Sequence, residues 1–496
     1  MNPMTRVGAK TSARRLMAVL AAASLAACTA GPDFQRPASP SVARYTTGTP
    51  PTHTASAATA LGEAQRIQVG VEVDARWWQA LGSTELDAWI ERALAVNPSL
   101  AAARATLRQA QQLHSARAGS TLYPQVDAGI GAQRARVNPS TQGQAGEARE
   151  FSLYNAGIGI SYRLDLAGGN RRALEALSAR TEHRRHELAG AQLSLAARIT
   201  GTAITRARLA GQLDSIESLV RMQDEHLART RQRVRLGQAA PAEPLALQAQ
   251  LEQTRAALPP LRQQLEQSEH LLAVLAGLPP GAAQVPAFTL DQFRLPTDLP
   301  LLPPSELVRR RPDIQAAEAL MHAANAEYGV AVARLYPQLT LSASLGSQAL
   351  SSAALFGGGS AVWALVGQLT QALFNPGLPA EKRASLAALD AAAANYQVVV
   401  LGALQEVADS LRALSHDAQA LASLAAADAA SQATLAAVQR QHALGAASTV
   451  QLLVARQQAE QSRTGLIAAQ AQRLADSAAL LQALGGGQAS AVEPVS

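Results

Sequence analysis

Long stretches of the chain carry apolar residues at alternating spacings of three and four. Leu209, Leu213, Ile216, Val220, Leu227 and Val234 follow this rhythm, and Leu251, Leu258, Leu265 and Leu272 recur every seven residues. Val400, Leu404, Val407, Leu411, Leu414, Ala418, Leu421 and Ala425 keep a strict four-three alternation, continued by Leu453, Ile467, Leu474 and Leu481. Such a stripe is the seam of coiled-coil packing, so four long helices in two hairpins are predicted. The run from Arg171 to Leu236 would alone extend about 100 Å at about 1.5 Å per residue. Prolines interrupt the pattern near its turn (Pro241, Pro244) and at Pro259-Pro260, where the returning helix should kink.

Other stretches alternate with a period of two. After Pro124, Val126, Ala128, Ile130 and Ala132 alternate with Asp127, Gly129, Gly131 and Gln133. Tyr154, Ala156, Ile158, Ile160, Tyr162 and Leu164 form a second such run, and Leu339, Leu341, Ala343 and Leu345 a third. A less regular fourth extends from Val362 to Phe374. One apolar face and one small or polar face is the pattern of a strand in a water-filled membrane barrel; a soluble half-buried hairpin shows the same alternation. In the barrel reading Ile158 and Ile160 face lipid, while Gly157, Gly159 and Ser161 face the lumen.

The two kinds of pattern repeat once. Asn97-Pro98 to Leu122-Tyr123-Pro124-Gln125 is mirrored by Arg311-Pro312 to Leu335-Tyr336-Pro337-Gln338, and Arg235-Leu236-Gly237 by Ala443-Leu444-Gly445. Each half reads helix, strand, strand, long helix, turn, long helix. The expected organisation is residues 1–27 a leader, 28–70 an N-terminal tether, 71–280 the first repeat, 281–485 the second and 486–496 a disordered tail. The tether is extended because residues 38–70 are rich in Ser, Thr, Ala and Pro.

The leader changes the compartment. Arg6, Lys10, Arg14 and Arg15 precede an apolar run from Leu16 to Ala27, a secretory signal. It ends in Leu25-Ala26-Ala27-Cys28, which resembles a bacterial lipobox, so Cys28 is the expected acceptor of an N-terminal diacylglycerol. Thr29 follows it where inner-membrane lipoproteins usually carry aspartate, which points to the outer membrane. Cys28 is the sole cysteine, so no intrachain disulfide forms. Four charges of the formal +6 lie in the leader, leaving +2, and the cationic set is almost all arginine. The basic character is therefore no argument for nucleic acid, and none is expected as a partner. Beyond the leader no charge-free apolar run reaches the roughly 18 residues of a membrane-spanning helix, so a membrane crossing requires a closed barrel.

Catalytic patterns are missing from this reading. Glu182-His183-Arg184-Arg185-His186-Glu187 lacks the second histidine four residues on that a His-Glu-x-x-His zinc site needs. Gly357-Gly358-Gly359 joins two strands and cradles no phosphate, and no serine lies on a nucleophile turn. Neither an enzyme nor a metal or other cofactor beyond the lipid is expected.

Several short motifs together resemble one family. Gly31-Pro32-Asp33-Phe34-Gln35-Arg36-Pro37, Trp77-Trp78, Leu86-Asp87, Asn97-Pro98, Leu164-Asp165-Leu166, Arg309-Arg310-Arg311-Pro312-Asp313-Ile314 and Leu369-Thr370-Gln371-Ala372-Leu373-Phe374-Asn375 are similar in kind and order to the lipoprotein (NodT/OprM-type) branch of the TolC-like outer membrane factors of RND efflux systems. The resemblance covers nearly the whole mature chain. It implies an α+β membrane protein: a homotrimer whose 12-stranded β-barrel, four strands per chain, is continuous with a 12-helix coiled-coil α-barrel. Strand counting alone asks only for more than one copy, because the smallest membrane barrels have about eight strands. The implied function is an outer-membrane exit duct of a tripartite pump, joined to a periplasmic adaptor and an inner-membrane RND-type transporter. A duct for type I protein secretion and a lipid-anchored coiled-coil spacer without a pore are the alternatives. The resemblance also implies sites. Arg235, Leu236, Gly237, His442, Leu444 and Gly445 would form the adaptor-docking tip. Acidic rings close similar ducts six residues past the turn glycine, which here gives Glu243 and Gln451. Two departures touch the hairpin starts: Ala167 to Arg172 lacks the usual aromatic, and Pro376 and Pro379 sit where the second hairpin begins.

Overall fold

A computed structural model of the chain describes residues 29–47, 52–139, 143 and 145–486. The leader, Cys28 and the tail from residue 487 lie outside the described residues. The chain divides into two compact units, and four of the five boundaries between them fall inside helices. In chain order the elements are β1 (Arg66–Val69), α1 (Thr84–Val96), α2 (Pro98–Leu122), β2 (Gln125–Val137), β3 (Arg149–Leu164), α3 (Gly169–Arg235), α4 (Glu243–Ala256), α5 (Leu258–Leu275), β4 (Asp298–Leu301), α6 (Pro304–Arg310), α7 (Pro312–Ala333), β5 (Gln338–Ala349), β6 (Ala361–Thr370), α8 (Gly377–Ala443) and α9 (Thr449–Ala483).

The first unit holds one four-stranded antiparallel sheet in the order β2-β3-β5-β6. Its register aligns the alternating residues into rows. Val126, Ile160, Ala343 and Leu365 form one row, and Ala128, Ile158, Leu345 and Trp363 the next. Between them, on the opposite face, lie Asp127, Gly159, Ser344 and Ala364. The sheet is thus apolar on one face and mostly small or polar on the other, where Phe151, Leu153, Val362 and Val366 are among the exceptions. Among the described residues nothing covers the apolar face: Ile130, Ile158, Leu345, Trp363 and Leu365 are all exposed. β6 is shorter than its pattern predicts, because Gln371 donates to the carbonyls of Leu335 and Ala372 and turns the chain away after Thr370.

Helix starts at the ends of this sheet are capped by side chains rather than by the missing aromatic. Asp165 accepts from the amides of Asn170 and Arg171, both at 2.9 Å, and opens α3. Asn375 accepts from Gly377 at 3.0 Å and opens α8. Pro379 falls in the first turn of α8, where a missing N–H costs nothing.

In the second unit the heptad positions are the core. Leu209, Leu227, Leu251, Leu272, Val407, Leu414, Leu421, Leu474 and Leu481 are buried. Leu227 of α3 packs with Leu247 and Leu251 of α4, flanked by Val220 and Leu453. The returning helix of the first hairpin breaks at Ala257, between α4 and α5, so that Pro259 and Pro260 start a new helix. Among the described residues α8 alone is long and apolar enough to cross a membrane by composition; its apolarity comes largely from alanine, which lets helices pack closely.

One expectation needs correction. The second half of the extended tether, residues 52–70, is folded. β1 pairs in parallel with β4, Arg66 opposite Asp298 and Val69 opposite Leu301. Gln65 is fully buried, donating to Pro296 O at 2.9 Å and to Ser477 Oγ at 2.8 Å. Four residues are too few to show a period, and the partner strand is remote in sequence.

Candidate functional site

Three sets of side chains bear on function: the sheet faces, the turns of the two hairpins, and the segment that follows Cys28. In the sheet, Ile158 and Ile160 lie on the apolar face and Gly157, Gly159 and Ser161 on the other. The polar face is concave, lined by Asp127, Ser161, Ser342 and Ser344. Among the described residues β2 and β6 are its free edges.

At the turns, both long helices end in the same way. Gly237 has φ +71° and Gly445 φ +75°. The amides of Gly237 and Gln238 bond back to Val234 and Arg233, and those of Gly445 and Ala446 to His442 and Gln441. This is the Schellman ending, which needs a left-handed residue and therefore favours glycine. A Cβ at either glycine would meet nothing within 4 Å. Leu236 and Leu444, which precede them, are exposed, at 64% and 85%, as is Arg235. His442 differs from the other expected tip residues. It is half-buried, its Nδ1 lies 2.9 Å from Ala447 O, and its ring sits 5.9 Å from that of His226. Burial, with Arg456 and His442 nearby, lowers the His226 pKa to about 4, so His226 is neutral at ordinary pH.

Glu243 and Gln451 each begin a returning helix. Glu243 is the first residue of α4 and accepts from Thr449 Oγ1 at 3.4 Å. Gln451 closes a capping box on α9: its Oε1 accepts from Ser448 N at 2.7 Å, while its own amide donates to Ser448 Oγ at 3.2 Å. The structure therefore brings Glu243 to within two residues of Gln451 through Thr449.

Sequence reasoning found the Gly31 to Pro37 motif but no role for it. In the first unit this segment is held by buried Arg172, which donates to Ala30 O, Gly31 O and Asp33 Oδ1, the last at 2.6 Å. Phe34 stacks on His322 with centroids 4.4 Å apart, and Asn325 donates to Pro32 O. Gly31 lies so close to Gly329 that a Cβ on it would come within 2.8 Å of the Gly329 Cα.

Comparison with known proteins accounts for the two repeats and the fold. The sequence model described as outer membrane efflux protein matches residues 89–278 and 304–486, one span for each repeat. The chain is 33% identical over 356 residues to the pyoverdine export outer membrane protein OpmQ of Pseudomonas aeruginosa, covering 68% of this chain and 72% of that protein. It is 29% identical over 469 residues to the probable efflux pump outer membrane protein TtgC of Pseudomonas putida, covering 93% of each. Its fold matches the outer-membrane channel OprN with a TM-score of 0.83 at 27% identity, over 93% of this chain and 99% of that one. With both repeats, the sheet and the hairpins accounted for, the chain belongs to the outer membrane efflux protein family.

Proposed function

We propose that the chain is the exit duct of a tripartite efflux pump, a passive outer-membrane channel for drugs or other small solutes. The observation that carries this reading is the four-stranded sheet with an exposed apolar face, a small and polar opposite face, and two unpaired edges. An open sheet cannot stand in lipid, since edge N–H and C=O groups find no partner there. Joining the β2 edge of one copy to the β6 edge of the next removes both edges. Three copies give twelve strands, and their hairpins give twelve helices. The polar, concave face then lines the lumen.

Within this reading Cys28 carries the lipid that anchors the chain. Residues 71–280 and 281–485 are the two repeats. Gly237 and Gly445, with Arg235, Leu236, His442 and Leu444, mark the tip that meets a periplasmic adaptor, which joins the duct to an inner-membrane RND-type transporter. Glu243 and Gln451 form its periplasmic gate. The duct binds no nucleic acid, catalyses nothing and needs no cofactor beyond the lipid. Small-molecule cargo is favoured over a secreted protein because the relatives are named for pyoverdine export and for efflux pumps. Purified protein in a planar bilayer should give stepwise ion conductance. A lipid-anchored spacer without a pore would give none, and that result overturns the proposal.

A further inference from the structure

On the bare face the apolar rows of β2 and β3 end at Ala132 and Tyr154. Starting at the helix end, the rows contain Leu164, Tyr162, Ile160, Ile158, Ala156 and Tyr154 of β3. Ten residues of strand span about 33 Å, which at a tilt of about 40° is about 25 Å along the membrane normal, the height of a lipid-facing band. Tyr162 and Tyr154 fall near its two limits, where aromatic residues girdle such bands. The next two rows on the same face are polar: Ser152 opposite Arg134, then Glu150 opposite Arg136. Both arginines continue the face of Val126, Ala128, Ile130 and Ala132 by parity. They stand at the end of the sheet where hairpin connections, not helices, join the strands.

Both guanidinium groups lean on one carboxylate. Arg134 lies 3.2 Å and Arg136 3.9 Å from Glu150, with side chains 78% and 70% exposed. Exposed ion pairs of this kind hold little, and one carboxylate leaves the pair of arginines with a net positive charge. Of the other charged residues nearby, Arg149 lies opposite Val137 and so on the lumen face, and Glu147 lies in the connecting segment. Arginine presents planar donor forks that match phosphate oxygens, and an anionic membrane surface attracts such residues.

We infer that Arg134 and Arg136 form a clamp for the phosphate of an outer-leaflet glycolipid, set one step beyond the apolar band on the lipid side of the sheet. The inference rests on the duct reading, which puts this end of the sheet outside the cell. Glu150 restrains the two side chains until a phosphate competes for them.

The test uses full-length protein in zwitterionic mixed micelles, titrated with fluorescent lipid A and with its dephosphorylated form. Wild type should prefer the phosphorylated form by about twenty-fivefold, from about fivefold for each arginine near an anionic surface. The R134Q/R136Q double variant should lose that preference, and Glu150→Gln should bind lipid A more tightly than wild type. An ion pair that merely braces the hairpin would leave all three proteins alike, and that result overturns the clamp. Displacement of the probe by inorganic phosphate at matched concentration would mark a free-anion site and equally sink the lipid assignment. Conductance recorded on the same preparations separates the two readings: a conducting wild type without lipid A preference overturns the clamp alone, whereas a silent wild type overturns the duct.

Discussion

Asn97 Nδ2 donates to the carbonyl oxygen of Leu275 at 2.8 Å, fastening the start of α2 to the end of α5. Its Oδ1 meanwhile accepts from the amides of Ser99 and Leu100 and so caps α2. Arg311 holds the matching position in the second repeat and donates through Nη1 to Ala483 O at 2.9 Å, at the end of α9. The repeats differ in residue type and agree in what the residue does: each closes its returning helix onto the helix that leads to the sheet. Asn97→Ala should lower stability by about 2 kcal/mol, combining a lost cap with an orphaned buried carbonyl. Asn97→Asp keeps the cap and loses only the donor, so its denaturation midpoint should fall between those of Asn97→Ala and wild type. An Asn97→Asp midpoint equal to wild type would mean the bond to Leu275 contributes nothing, and one equal to Asn97→Ala would mean the cap contributes nothing.

The strand faces make opposite demands on an added charge. Ile158 lies on the apolar face beside Leu345, and Ser161 on the polar face beside Ser342. Arginine at Ile158 should impair barrel insertion at a cost of about 2–4 kcal/mol if the site is at mid-membrane depth. Arginine at Ser161 should insert normally and change single-channel conductance. Membrane fractionation and bilayer recording read the two effects. The reverse pattern would exchange the faces, as a one-residue slip does.

What could be seen in advance followed from period and length. The heptads of α3, α5, α8 and α9 run for many turns, so their buried seam was visible before any coordinates, and the twofold repeat fixed the order of elements. β2, β3 and β5 alternate cleanly; β6 does not, and its end was misplaced by four residues because Gln371, not hydrophobicity, terminates it. β1 and β4 were invisible. Their pairing joins Arg66 to Asp298, and four residues carry no period. Buried polar groups were equally hidden: nothing local in the sequence tells that Arg172 is a clamp for the Gly31 to Pro37 motif or that Arg473 is fully buried.

Asp476 gives the second unit a pH dependence. Burial first, then the facing carboxylate of Asp417, push its pKa up to about 7, against the opposing effects of Gln472 and Arg473. The folded protein thus keeps a proton that the unfolded chain releases near pH 4. The associated stability is present below about pH 4 and lost as pH rises through 7. Asp476→Asn, which carries no proton to lose, should be more stable than wild type at pH 8 and should flatten the profile from pH 4 to 8. Thermal midpoints across that range check this; parallel profiles would show that Asp476 titrates normally.

Gly445 and Gly277 share a left-handed φ, +75° and +72°, but not a neighbourhood. A Cβ at Gly445 meets open space, whereas at Gly277 it comes 3.2 Å from both Pro98 and Val96 O. Replacing Gly445 with a bulky residue should therefore leave trimers assembled, at about 1–2 kcal/mol for the backbone, yet abolish efflux complementation by disturbing the adaptor tip. Gly277→Val should instead lower stability further through its clash. Normal drug efflux by a Gly445 variant that reaches the membrane would remove the tip from the docking surface.

The proposed gate has different chemistry at its two related positions. Glu243 is held by Thr449 Oγ1 at 3.4 Å, and Gln451 is already engaged, its Oε1 accepting from Ser448 N at 2.7 Å. Three copies around an axis would converge three Glu243 carboxylates, which repel one another unless cations, protons or donors intervene. The Nε2 of Gln451 is a donor that the capping box leaves available. The channel should then be cation-selective and blocked by divalent ions from the periplasmic side, with Glu243→Ala weakening the block. Gln451→Ala should raise resting conductance, but it also removes a cap and could loosen α9 for that reason alone. Gln451→Glu separates the two causes, since a glutamate preserves the capping box while adding three negative charges to the ring. On the gate reading it should strengthen divalent block and keep the denaturation midpoint. If single-channel records of Glu243→Ala and Gln451→Glu match wild type in selectivity and block, these residues serve only to start their helices.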